Sequence, residues 1–190
     1  MSVVKIGFAM CGSFCTFSKA IAEMENLLNN GFDVQPIMSF NAYNLDTKFG
    51  KAKDFINKIE KMCEKQIIHT IQDAEPIGPN KMVDLMLVAP CTGNTLAKLC
   101  NAVTDTPVTM AVKSHLRIQR PVVIALASND ALGASAQNIG RILNTKNIFL
   151  TPLSQDDFLK KPQSLVANFN LILNTVEKAL VGKQIQPILK

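Results

Sequence analysis

A short polar turn between two apolar runs carries the residues of this chain that are best suited to bind a small anion. Residues 85–89 are continuously apolar and too few for a helix, which is typical of a strand buried on both faces of a parallel sheet. Beyond Pro90 the apolar residues recur at helical spacing, at Leu96, Leu99, Cys100 and Val103. The turn between the runs is formed by Thr92, Gly93, Asn94 and Thr95. A helix N-terminus presents free N–H groups and the positive end of the helix dipole, so this pattern favours an anion or phosphate site over a capped loop without a ligand.

The elements that must position this turn alternate between strands and helices. Strands are predicted at residues 3–9, 34–39, 66–71, 85–89, 121–127 and 147–150, the last of these closing the sheet. Helices are predicted around residues 20–28, 51–63, 96–103, 136–143 and 165–180. This order predicts a single-domain α/β fold, a doubly wound, Rossmann-like parallel sheet with helices on both faces. Because Pro36 cannot donate to a strand ladder, the second strand is expected at or close to an edge.

Length and composition favour one globular domain and exclude several classes of protein. With 190 residues, 47% of them hydrophobic, the chain can bury one full core, which we place at residues 1–182 with a C-terminal tail, either an arm or a frayed end, at residues 183–190. The net charge of +5 is scattered, and the absence of Trp and the single Tyr argue against single-stranded nucleic acid as a partner. No apolar run approaches the length of a membrane span, so we expect a cytoplasmic protein.

The five cysteines show neither a disulfide-scaffold spacing nor a secretory signal before them, so reduced thiols are expected. Cys11, Cys15 and Cys91 fall on two loops that should converge, and with His69 they could be combined into a zinc site. None of them has the C-x-x-C spacing of a strong zinc motif, and we therefore predict no metal.

Four loops should meet beyond the carboxyl ends of the parallel strands, at residues 10–18, 39–44, 90–95 and 128–135. The first loop lacks G-x-G-x-x-G, and the second strand ends in Ser39 instead of the acid that would bind a ribose, so a dinucleotide is not expected on this chain. A triphosphate loop of the G-x-x-x-x-G-K-[ST] type is also missing. The remaining donors are small and neutral and suit a mononucleotide, namely Gly12, Ser13, Ser39, Thr92, Asn94 and Thr95.

Residues 84–98 fit the pattern D-x-x-x-x-A-P-x-[ST]-x-N-T-x-A-K. This pattern resembles the flavoprotein superfamily of homo-oligomeric, FMN-containing cysteine decarboxylases. The resemblance implies a homo-oligomer with FMN buried between subunits. It also implies FMN contacts, on this chain, from Gly12, Ser13, Phe14, Ser39, Thr92, Asn94, Thr95 and Asn129.

The same resemblance implies a catalytic histidine before the central strand, and His69 occupies the similar position. It could act as a general base, or it could be an ordinary core or surface histidine. The decarboxylases clamp their substrate with a P-x-M-N-x-x-M-W segment, whereas residues 126–132 of this chain keep Asn129 and lack the Met-Trp pair. The departure argues against cysteine decarboxylation, and it leaves Asn129 as a ligand contact or as a helix cap.

Further stretches, at residues 11–17, 89–98, 104–110, 119–124 and 144–147, resemble a narrower family within the superfamily. Its members form one chain of a two-chain oxidoreductase in the mother cell of spore-forming bacteria. The resemblance implies that the partner chain binds NAD(P) and that the pair oxidises a dihydropyridine diacid to the aromatic diacid. The alternatives are an FMN-dependent decarboxylase of the same superfamily and a non-catalytic subunit that stabilises its partner.

A basic segment at residues 113–120 offers another way to bind the carboxylates of a diacid, because Arg117 and Arg120 could pair with them. Cations near the C-terminus of a helix are, however, ordinary surface residues that match the helix dipole. We expect this segment to be surface.

Overall fold

The computed structural model describes residues 3–190, which form a seven-stranded sheet with helices on both faces. Five strands are parallel to one another, β1 (Lys5–Met10), β2 (Asp33–Met38), β3 (Leu85–Cys91), β4 (Val122–Ser128) and β5 (Ile148–Leu150). Two short strands extend the sheet beyond β4: β7 (Leu165–Ala167) runs antiparallel to both of its neighbours, which are β4 and β6 (Leu153–Ser154). The predicted single-domain Rossmann-like fold is confirmed, with this antiparallel extension added to it.

The helices lie in chain order as α1 (Phe17–Asn29), α2 (Phe40–Asn44), α3 (Ala52–Cys63), α4 (Ile71–Ala74), α5 (Gly93–Cys100), α6 (Pro107–Arg117), α7 (Ala136–Leu143) and α8 (Ile172–Leu180). Helices α1 and α8 contact each other on one face, while α5 packs between α6 and α7 on the other. In residues 3–190, no helix is long and apolar enough to span a membrane.

The central strands lie in the middle of the sheet because their residues are continuously apolar and must be buried on both faces. Every residue of β3 is buried, and its neighbour β1 is buried from Ile6 to Met10. Strand β2 lies outside β1, as Pro36 predicted, but the sheet does not end cleanly there. Ile68 forms a single parallel bridge with Ile37 and donates its N–H to the Pro36 carbonyl at 3.0 Å. The predicted strand at residues 66–71 is therefore reduced to one bridge, and α4 begins at Ile71.

Two predictions near the C-terminus were wrong. Residues 147–150 are not the last strand, because β4 is long enough to pair with β5 along Val122–Ile124 and with β7 at Ala127 and Ser128. Leu165 consequently lies in β7, and the closing helix begins only at Ile172. Strands of two and three residues are too short to show the alternating hydrophobic pattern of a strand. The apolar residues between 165 and 172 also happen to fall at helical spacing, which favoured a helix in the prediction.

Helix α5 also ends earlier than its apolar spacing predicted. It stops at Cys100, Ala102 adopts a positive φ of 57°, and Val103 is left 41% exposed. A left-handed residue ends the helical repeat. The chain can then return toward α6 past the carboxyl end of the sheet.

The C-terminal tail is tied to the sheet by hydrogen bonds. The Gln184 side chain accepts from the N–H of Leu150 at 2.8 Å and donates to its carbonyl at 2.7 Å. Leu153 pairs its N–H and carbonyl with the backbone of Ile188 and Lys190. A boundary between a domain and a tail at residue 182 stays a prediction.

Arg120 lies at the amino ends of β3 and β4, away from the polar turn. Its guanidinium donates to the Val83 carbonyl and, at 3.1 Å, to the Asp84 carboxylate. Those bonds anchor the segment before β4 to the start of β3, which is a structural role for this arginine.

Candidate functional site

The carboxyl ends of β1, β2 and β3 surround a cavity of about 380 Å³, which we call the polar cavity. Parallel strands direct their carboxyl ends to one edge of the sheet, so loops far apart in sequence meet there. Five of the predicted residues line it, Gly12, Ser39, Thr92, Asn94 and Thr95. It is completed by six further residues, Cys11, Phe40, Asn41, Lys98, Asp105 and Thr106.

The start of α5 forms one wall of the polar cavity. Thr92 caps the helix, because its hydroxyl oxygen accepts the N–H of Thr95 at 3.2 Å. The same hydroxyl donates to the Thr95 hydroxyl oxygen at 3.1 Å. The first N–H groups of a helix have no partner within the helix, so those of Gly93 and Asn94 can serve a ligand at this end.

Ser39 forms the opposite wall and caps α2 in the same way. Its buried hydroxyl oxygen accepts the N–H of Ala42 at 3.3 Å. A hydroxyl that accepts still has its proton to donate. Ser39 can therefore hold α2 in place and bind a ligand oxygen at the same time.

Cys11 lies at the floor of the cavity as a neutral thiol. The Thr95 hydroxyl donates to its sulfur at 3.3 Å, while burial raises the pKa of Cys11 to about 11. Burial also raises the pKa of Cys91 well above its usual value. Neither thiol is a thiolate near pH 7, so neither repels an anion. Across residues 3–190, no group of three or more His, Cys, Asp or Glu side chains is arranged to hold a metal.

One ion pair borders the polar cavity. Lys98 Nζ lies 2.8 Å from both carboxylate oxygens of Asp105, and this hydrogen bonding holds the pKa of Asp105 below its usual value. The cavity thus combines neutral donors with a cation whose charge is balanced. Sequence reasoning missed the pair as a site feature, although Lys98 belongs to the 84–98 pattern and Asp105 to the 104–110 stretch.

Three of the predicted residues lie beside the polar cavity instead of lining it. Ser13 and Asn129 line an adjacent pocket of about 280 Å³. Phe14 packs against Phe17 with ring centroids 5.0 Å apart. Its ring also covers Gly12, where a Cβ would lie 3.4 Å from the Phe14 Cε2 atom.

His69 stands at the same end of the sheet, behind α2. Its ring stacks on Tyr43 with centroids 3.9 Å apart and planes within 3°. Its Nδ1 lies 3.1 Å from the Ile67 carbonyl oxygen, which can only accept, so in the neutral ring Nδ1 carries the proton and Nε2 the lone pair. The histidine is oriented, but it is not a lining residue of the polar cavity.

The donor set of the polar cavity fits the phosphate and ribityl chain of FMN. Hydroxyls, amide groups, the α5 N-terminus and Lys98 supply the hydrogen bonds that these groups require. Phe40, which is 41% exposed, offers apolar surface at the rim.

The flavoprotein family matches residues 1–178 of this sequence. The chain belongs to the flavoprotein family. It is 45% identical to the B subunit of dipicolinate synthase from Bacillus subtilis (strain 168) over 97% of this chain and 92% of that protein. It is also similar to the crystal structure of the B subunit of dipicolinate synthase from Bacillus halodurans C, with 42% identity, a TM-score of 0.91, and coverage of 100% of this chain and 98% of that chain. The narrower resemblance found in the sequence is to these proteins, and it is confirmed.

A more distant flavoprotein shares the fold. The structure of Burkholderia xenovorans DmrB in complex with FMN superposes with a TM-score of 0.70 at 15% identity, covering 94% of this chain and 96% of that chain. At this identity the likeness establishes the architecture alone.

Proposed function

We propose that this chain is the B subunit of a dipicolinate synthase and acts with an A subunit to oxidise dihydrodipicolinate to dipicolinate. The observation that carries the proposal is the 45% identity over nearly the whole chain to a protein of that name. In this reaction the dihydropyridine ring loses a hydride to NAD(P)⁺ and a proton to a base, and the ring becomes aromatic. The dinucleotide fingerprint is missing from this sequence, so NAD(P) is assigned to the A subunit.

FMN is the cofactor assigned to the polar cavity. Its phosphate and ribityl chain would be held by Thr92, Asn94 and Thr95 on one side and by Gly12 and Ser39 on the other. When bound, FMN supplies a ring that can accept and release hydride. The cavity residues would bind and orient FMN. The neutral thiol of Cys11 would add no negative charge that repels the phosphate.

His69 is the base assigned to the lost proton, and it would act on a substrate bound by the neighbouring copy of the homo-oligomer, because within one copy it lies beyond β2 and outside the polar cavity. The Ile67 carbonyl fixes the proton on Nδ1 and leaves Nε2 free to accept one. Stacking on Tyr43 holds the plane of the ring. An imidazole held in one orientation with its Nε2 available is the arrangement that general-base catalysis requires.

The proposal includes a homo-oligomer in which a second copy covers the flavin, and a location in the cytoplasm of the mother cell. Superfamily resemblance supports the oligomer. Phe40 supports it further, because it lines the polar cavity and is nevertheless 41% exposed.

The deciding experiment is reconstitution. The A subunit, this chain and their mixture are each supplied with dihydrodipicolinate and NAD(P)⁺, and dipicolinate is measured by its ultraviolet absorbance. We expect the mixture to be much faster than either chain, and this chain to retain a flavin spectrum after FMN addition and gel filtration. Full activity of the A subunit alone would contradict the catalytic role, and release of CO₂ from cysteine-derived acids would instead favour the decarboxylase alternative.

A further inference from the structure

A second pocket, of about 280 Å³, adjoins the polar cavity and is bounded by three separate segments. Its residues come from the loop after β1 and the start of α1, from the end of β4, and from β7 with the segment that precedes it. We call it the lysine pocket. Its polar side chains include Ser13, Lys19, Asn129, Asp156 and Lys161.

The charges in the lysine pocket favour an anion. Lys19 and Lys161 contribute two positive charges, and Asp156 contributes the single carboxylate. Asp156 pairs with Lys161 at 3.2 Å, whereas Lys19 takes part in none of the ion pairs found in residues 3–190. A dianion bound between the two lysines would pair with Lys19, which has no carboxylate partner among the described residues. It would share Lys161 with Asp156.

The rest of the lining suits a small planar acid. The Ser13 hydroxyl oxygen accepts from the Thr16 hydroxyl at 3.2 Å, which leaves the Ser13 hydroxyl proton for a ligand. Asn129 adds an exposed amide. Ala127 and Val166 provide apolar surface that a ring can cover.

Two other cavities of the molecule suit this ligand less well. A cavity of about 310 Å³ between α5, α6 and α7 is lined mainly by apolar residues such as Leu99, Val112 and Leu116. A basic cavity with Lys5, Lys65 and Lys81 lies at the amino ends of the strands. Ligands of open α/β sheets bind at the carboxyl ends.

The lysine pocket shares a loop with the polar cavity, since Ser13 directly follows Gly12. A ligand in one would therefore lie next to a ligand in the other. We infer that the lysine pocket binds the pyridine-type dicarboxylate substrate, with Lys19 and Lys161 receiving its carboxylates beside the mononucleotide. This inference rests on the proposed function, for which it names the substrate site.

Direct binding of dipicolinate, the stable aromatic product, tests the pocket. Isothermal titration of the full chain in metal-free buffer is repeated on Lys19→Gln, Lys161→Gln, Asp156→Asn and the control Lys160→Gln, a neighbouring exposed lysine outside the pocket. We expect each pocket lysine substitution to raise the Kd about tenfold, because each removes a charge-assisted hydrogen bond. Asp156→Asn should lower the Kd, since it removes a negative charge from the pocket, and the control should leave it unchanged.

The opposite sign of Asp156→Asn separates charge recognition from damage to the fold, because a destabilised chain would not bind more tightly. Unchanged Kd values in both pocket lysine variants would overturn the inference. An equal loss of dipicolinate affinity in all four variants would overturn it as well. The complex with the A subunit distinguishes this failure from failure of the proposed function. If the complex forms dipicolinate while the lysine variants keep the original KM, the site is wrong and the function stands; a complex without activity contradicts the function itself.

Discussion

The two histidines of the chain have opposite surroundings, which assign them different roles. His69 is partly exposed and oriented at the carboxyl end of the sheet. His115 is fully buried on α6, with Nε2 3.2 Å from the Pro121 carbonyl and Nδ1 without a hydrogen-bond partner in the described chain. A buried ring with no acceptor at Nδ1 is held neutral. We therefore assign His115 a structural role in stabilising the fold.

His69→Gln tests the proposed proton transfer. Glutamine can donate a hydrogen bond but cannot serve as a base at neutral pH, so kcat of the two-subunit complex should fall about a hundredfold or more. FMN binding to this chain, followed by flavin fluorescence, should not change. Tyr43→Phe is the matched control because it keeps the stacked ring. An unaltered kcat in His69→Gln would leave His69 as a structural residue.

The burial of His115 predicts how the stability of the fold depends on pH. Burial, together with the nearby Arg120, lowers its pKa from 6.5 to about 4, against the smaller opposing effects of the Pro121 hydrogen bond and Asp84. Between those pH values the unfolded chain binds more protons than the folded one, so stability falls as the pH drops from 6.5 to 4. His115 should account for a loss of about 3 kcal/mol across this window.

Urea unfolding at pH 7 and at pH 4.5 measures this effect. His115→Met should lower the free energy of unfolding at pH 7. On acidification to pH 4.5, this variant should lose much less unfolding free energy than the original chain. A variant of His115 with the same acid sensitivity as the original would contradict the assignment.

At the scale of elements, the N-terminus of α5 links stability to ligand binding. Thr92 satisfies the N–H of Thr95 and faces the polar cavity, so one side chain serves both purposes. Helix α4 has an equivalent cap, Thr70, which accepts from the N–H of Asp73 at 3.1 Å and lies outside the polar cavity.

Thr92→Ala and Thr70→Ala form a matched pair. Each should cost about 1 kcal/mol of unfolding free energy through loss of a cap. Only Thr92→Ala should also raise the Kd for FMN, by about tenfold, because loss of the cap loosens the first turn of α5, whose free N–H groups would bind the phosphate. Equal FMN affinity in the two variants, measured by fluorescence titration, would place the phosphate elsewhere.

At the scale of the whole molecule, Phe40 of the polar cavity is one of several exposed apolar side chains on α2 and in the segment after it. Phe40 begins α2, and the segment after that helix carries Leu45 and Phe49, with 47% and 48% exposure. A second copy of the chain that covers the flavin would bury this surface.

Light scattering should therefore find a homo-oligomer, and Phe49→Glu should shift it toward the monomer because a charge would enter the covered surface. Val181→Glu is the control, since Val181 is 66% exposed and lies at the end of α8. A monomeric original chain, or dissociation by both substitutions alike, would contradict this arrangement.

The sequence alone determined the alternation of strands and helices, the edge position of β2 and the polar turn at the start of α5. These features depend on local causes, such as apolar periodicity, the missing N–H of Pro36 and the capping preference of Thr92. The convergence of Gly12, Ser39 and Thr92 also followed, because parallel strands end at one edge of the sheet.

Only the tertiary structure decided what depends on contacts between distant segments. Strands β6 and β7 form because β4 has free ladder positions beyond β5, which no local pattern reveals. The Lys98–Asp105 pair, the burial of His115 and the separation of Ser13 and Asn129 into the lysine pocket likewise depend on packing. Spacing along a chain places a side chain on a face of its element, but the neighbours that it meets are set by how the elements pack.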